Sequence, residues 1–176
     1  TWRHEIVDGR EAANPRRAFY YHLRGVNDRK WVPARGCQVL LKRILRRGPD
    51  GHFHLEPLVV PLRFDWAPAE TTPSQITLAD DHILDFGILV ESETRFFPAL
   101  SSFTRNFRGY VERDESVRYV LQIGAENCAY SRFYTFEVSW NGQWSDNPDE
   151  MSKNLRIHEV SDDGEHDSDG ASAQAN

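Results

Sequence analysis

The sequence predicts an all-β sandwich of seven or eight short strands, on three observations. Apolar and polar residues alternate with period two through most of the chain. Clusters of Gly, Pro, Asn and Asp punctuate those runs. No segment of helix length carries an apolar stripe at helical spacing, and many short strands separated by turns are the mark of a sandwich or barrel.

The elements follow in order. Phe19, Tyr21 and Leu23 oppose Tyr20, His22 and Arg24, which predicts a first strand with one apolar face. Val26-Asn27-Asp28 opens a loop, and Cys37, Val39 and Leu41 continue on a second strand. Arg47-Gly48-Pro49-Asp50-Gly51 is a turn cluster. Leu58, Val60, Leu62, Phe64 and Trp66 then alternate with mixed residues, and Pro61, with no N–H to give a ladder, places that strand at an edge. Asp80-Asp81 is the next turn, before Leu84, Phe86 and Ile88. Residues 93–110 form a long connection with room for a short helix pinned by Phe96, Phe97, Phe103 and Phe107. The last two strands carry Val117, Tyr119, Leu121, Ile123 and Ala125, then Tyr134, Phe136, Val138 and Trp140, before the turn Asn141-Gly142. Leu62, Phe64, Tyr119, Leu121, Phe136 and Val138 are the expected core. Connections that let the chain cross between sheets fit an immunoglobulin-like sandwich better than a closed barrel, which shows more regular hairpins.

The 176 residues suit one domain, expected over 1–160. Residues 161–176 (SDDGEHDSDGASAQAN) are polar, acidic and small, and too poor in apolar surface to offset their ordering entropy, so a disordered tail is expected there. The net charge of −6 is uneven, with the first fifty residues at +7 and the rest at −13. No apolar run approaches the ~20 residues of a membrane-crossing helix. The chain starts at Thr1, so an anchor or further domain ahead of it fits the sequence equally well. Two cysteines, Cys37 and Cys128, make no disulfide framework. Free thiols and a cytoplasmic location are expected.

YYHLRGVN (20–27), VPARGCQVLL (32–41), ILDFGIL (83–89) and YVLQIGAEN (119–127) together resemble the strand run of bacterial immunoglobulin-like modules of the adhesion-related, CARDB-like kind. Asn27, Pro33, Ala34 and Val39 match that pattern, whereas Gly36 stands where those modules often have Asn. The resemblance implies a non-enzymatic spacer, adhesion or docking domain and carries over no catalytic residue.

Chemistry-bearing motifs are few. His52 and His54 share a strand face but lack the further ligands that zinc requires. Asp80, Asp81 and His82 suit a polar turn. Ser101, Ser102 and Thr104 stand outside any nucleophile elbow. Neither phosphate-loop fingerprint occurs, and the tail's DDGEHDSDG fails the calcium-loop pattern. No cofactor or metal is therefore expected, and the expected role is non-enzymatic protein docking, as part of a larger protein or assembly. Trp31 and Arg35, in the loop between the first two strands, and Trp144, beyond the last, are the candidate contacts, since Trp and Arg dominate interface hot spots. The alternative is a nucleotide or nucleic-acid sensor using the basic first half, with Arg43 and Arg47 as its anion-binding residues.

Overall fold

A computed structural model describes residues 6–7, 10–11, 17–29, 31–69, 71–91, 93–128 and 132–160. The predicted tail lies outside these residues. Two short strands, β1 (Ile6–Val7) and β2 (Arg10–Glu11), pair with each other. The remaining ten strands form two sheets. The smaller holds β3 (Ala18–Val26), β8 (Asp81–Val90) and β9 (Phe97–Pro98), in the order β3-β8-β9.

The larger sheet is organised by β4 (Ala34–Arg47), a 14-residue strand. Along one edge β4 pairs with β10 (Glu115–Gly124), which continues to β11 (Arg132–Trp140) and β12 (Leu155–Val160). Its other edge is shared in turn by β7 (Ile76–Leu78), β6 (Leu62–Arg63) and β5 (Phe53–Glu56). All pairings are antiparallel.

The core lies between the two sheets. Phe86 of the smaller sheet meets Tyr119 and Phe136 of the larger at ring-centroid distances of 5.9 and 5.7 Å. Five of the six expected core residues are buried, and Phe136 is partly buried against the same cluster. The Tyr119 hydroxyl donates to the Gly109 carbonyl, and burial pushes its pKa far above the usual phenol value.

Two ladder irregularities shift the inward phase. Leu41 and Ile44, rather than residues two apart, both face inward, because the β4–β10 register slips at Val120/Leu121 and leaves Lys42 as the extra residue. The β3–β8 register slips at Tyr21/His22, so beyond Phe86 the buried positions are Gly87 and Leu89, not the expected Ile88.

Other expectations are corrected. The strand foreseen over 58–66 is reduced to β6 and isolated bridges at Phe64 and Trp66, and Val59 and Val60 are exposed between Pro57 and Pro61. That segment laces the sheets together: Phe64 N–H donates to Val39 of the larger sheet, and Ala67 N–H to Ile83 of the smaller. Residues 93–110 hold β9 and loop, without a helix. Phe96 and Phe107 are buried there, whereas Phe103 is exposed beside Phe107 and Tyr110. The one helix among the described residues is α1 (Pro148–Asn154). Asn147 caps it by accepting from Asp149 N–H, Pro148 stands in its first turn, and Met151 is buried beneath it.

Candidate docking surface

Loops gather at two opposite ends of the sandwich. One end is made by residues 27–29 and 31–33, the β7–β8 turn and residues 125–128 after β10. Two asparagines fasten it. The Asn27 side-chain amide donates to the carbonyls of Val32, Leu78 and Ala79 at 2.9–3.2 Å, and its Oδ1 accepts from Arg29 N–H at 3.0 Å. Asn127 accepts from Arg35 N–H at 2.7 Å and donates to the Pro33 carbonyl at 2.9 Å. Glu126 N–H donates to the Arg35 carbonyl, closing the same junction.

This frame presents Trp31 with 81% of its surface exposed, between Val26 at 54% and Val32 at 45%. Arg35 is exposed on the same junction. Holding a loop by its backbone while leaving an indole in solvent keeps the entropy cost of binding low. A cleft of about 210 Å³ opens near this end, between β3 on one side and β11 and β12 on the other. Leu23, Trp66, Leu84, Leu121 and Phe136 are among its apolar lining. Asp28 and Arg132 face each other at 3.6 Å near its mouth, and a hydrogen bond with Tyr134 holds the Arg132 guanidinium above its ordinary pKa.

The structure keeps Trp31 and Arg35 at one end but does not bring Trp144, Arg43 and Arg47 to them. Trp144 lies at the opposite end, half-buried, with its ring 5.2 Å from Phe19 and its N–H given to Asp146. Arg17 also pairs with Asp146, and that hydrogen bond holds the carboxyl below its usual range. Arg43 and Arg47 point outward from the far face of the larger sheet, and Arg47 lies over the Phe53 ring at 5.1 Å.

Sequence reasoning missed the role of Arg46. It joins Glu56 and Glu115 and donates to the carbonyls of Arg108 and Tyr110, tying the long connection to β4. Only the spatial pairing of these strands singles it out from its neighbours Arg43 and Arg47.

Some of the other candidates have structural partners, whereas His82 Nε2 is buried without a hydrogen-bond partner among the described residues. His54 pairs with Asp50 at 2.9 Å, and His52 is exposed. Ser101 bonds Asp65 and the Arg63 carbonyl. Among the described residues no group of three His, Cys, Asp or Glu side chains could hold a metal ion. Cys37 is a buried free thiol, its pKa raised by burial, and Cys128 an exposed one. No helix among the described residues is long and apolar enough to cross a membrane. Comparisons with protein-family models, curated proteins and solved structures return no match.

Proposed function

We propose that the domain is a non-enzymatic docking module that engages a protein partner through its Trp31 end. The observation that carries this reading is an indole 81% exposed on a loop fixed by Asn27 and Asn127. Exposed tryptophan and arginine are the side-chain types that dominate interface hot spots, and a cleft of mixed polar and apolar lining opens nearby.

The scaffold reading is an immunoglobulin-like sandwich of the CARDB-like kind. Its support is the pairing of β3 with β8 in one sheet and of β4, β10 and β11 in the other. Gly36 adds to it. Its φ of 59° is a left-handed conformation that glycine and asparagine both adopt, which accounts for Gly where those modules often carry Asn.

The test uses the full chain with a photo-crosslinking residue at position 31 or 144, beside capture by wild type, Trp31→Ala, Arg35→Ala and Trp144→Phe proteins. We expect a crosslink to a distinct protein from position 31 only, capture lost in Trp31→Ala and weakened in Arg35→Ala, and retention in Trp144→Phe. Equal capture by wild type and Trp31→Ala would overturn the reading.

A further inference from the structure

The far face of the larger sheet carries cross-strand rows fixed by register. Phe53 pairs with Arg47 just past the last β4–β10 pair, Arg46–Val117, and on the neighbouring strands Ser116 pairs with Ser139 and Ser139 with Arg156. A continuous row runs Leu55, Leu45, Arg118, Glu137, His158. Between them and the end of α1 lies an open groove of about 420 Å³. Its volume falls in the range of small-ligand sites, about 300–1,000 Å³.

The lining carries three carboxylates, Asp114, Glu115 and Glu137, and three cations, Arg47, Lys153 and Arg156, and the two sets differ in how far they are already paired. Glu137, 7% exposed, is taken by Arg118 at 3.0 Å. Glu115 is taken by Arg46 and by Glu112 N–H. Glu137 is therefore matched by its own guanidinium, whereas Glu115 shares Arg46 with Glu56. Arg47, Lys153 and Arg156 also line the groove, and among the described residues none of them pairs with a carboxylate. Asp114 is the remaining acidic residue of the lining, so three cations without a carboxylate partner face it and the half-matched Glu115. On the floor, the Ser116 and Ser139 hydroxyls are hydrogen-bonded to each other at 2.7 Å, which leaves one rotatable donor of the pair for a ligand. Asn141 and Asn154 add amide groups at the wall and are joined at 2.8 Å.

We propose that this groove binds a phosphate group. Tetrahedral oxyanions accept several hydrogen bonds at once, and guanidinium and ammonium donors make the strong, charge-assisted kind. The site is separate from the Trp31 end, and neither depends on the other. Arg47 comes from the basic first half of the chain, but Lys153 and Arg156 come from the acidic remainder, so this concentration of positive charge exists only in the fold.

The experiment titrates the full chain with inorganic phosphate, adenosine monophosphate and a mixed-sequence single-stranded oligonucleotide, followed by amide NMR at low and at physiological salt. We expect phosphate and the mononucleotide to move Ser116, Ser139 and Arg156 signals, and Lys153→Glu with Arg156→Glu to weaken binding at least tenfold. Arg43→Glu, on the same face but outside the groove, is the charge control and should leave small-ligand affinity within about twofold. Ser139→Ala, the milder change, covers the case in which the double variant fails to fold, and should weaken phosphate binding. A footprint that spreads to Arg43 only with the oligonucleotide, with steep salt dependence, would identify a nucleic-acid backbone as the phosphate source. A mononucleotide response without it would identify a small phosphorylated molecule. No shift at these residues with any probe, or equal losses in Arg43→Glu and the groove variants, would overturn the proposal.

Discussion

Trp31 and Trp144 both sit beside turns at the margins of strands, yet the fold uses them in opposite ways. Trp144 lies on Phe19 and gives its N–H to Asp146, so its turn is held by the side chain. The Trp31 loop is held by its backbone through Asn27 and Asn127, which leaves the indole in solvent. An aromatic near a turn is thus a fastener or a probe according to what else secures the turn. The difference lies in residues distant in sequence: Asn127 for one, Phe19 and Arg17 for the other.

The largest expected effect strikes the fastening of the Trp31 end. Asn27→Asp places a carboxylate where an amide donates to three carbonyl oxygens. It should cost about 2–3 kcal/mol, against about 1–2 kcal/mol for Asn27→Ala, which leaves those carbonyls and the Arg29 N–H unpaired but adds no charge. Urea unfolding measures both, and hydrogen exchange should show the loss concentrated over residues 27–33 and 78–81. Equal costs for the two variants would mean that the amide does not donate there.

Next comes the pair of tryptophans. Trp144→Ala should destabilise by roughly 2 kcal/mol, less than the roughly 3–5 kcal/mol of a fully buried aromatic, since the ring is half-buried. Trp31→Ala should stay within about 0.5 kcal/mol of wild type, as an exposed surface change does. Similar destabilisation in both would erase the contrast between the ends.

How far this contrast was legible in the sequence follows from its causes. Alternation located β3, β4, β8, β10 and β11, because a half-buried strand must segregate its side chains with period two. It failed where a bulge resets the phase, at Lys42 and at Phe86, since an extra residue is invisible until both strands are paired. The helix at 148–154 was readable from the cap Asn147 followed by Pro148, but it is too short to show a stripe. β12 (Leu155–Val160) alternates as well, and its six residues were passed over behind the turn. Trp31 was singled out correctly as a loop residue, but its exposure depends on tertiary hydrogen bonds. The groove could not be read at all, because Arg47 and Arg156 line it only once β4, β10, β11 and β12 are paired, and they lie over a hundred positions apart.

The smallest effect separates the two ends by pH. Asp146 accepts from Arg17 and from Trp144, and both bonds favour its charged form and lower its pKa. A carboxyl whose folded pKa lies below its unfolded value lends stability that is fully present above the unfolded pKa, about 3.9. That stability is lost as pH falls through the folded value. The pair is solvent-exposed, so the change in global stability should be slight. The local signal should be clear. Protonation of Asp146 removes the charge that draws the Trp144 indole N–H, and that NMR resonance, assigned by Trp144→Phe, should move with a midpoint below about 3.9. The Trp31 indole has no carboxylate partner among the described residues and should stay in place through the same titration. A Trp144 midpoint at or above the ordinary carboxylate value would show that the Arg17–Asp146–Trp144 contact does not hold in solution. If both indoles moved together, the two ends would not be independent.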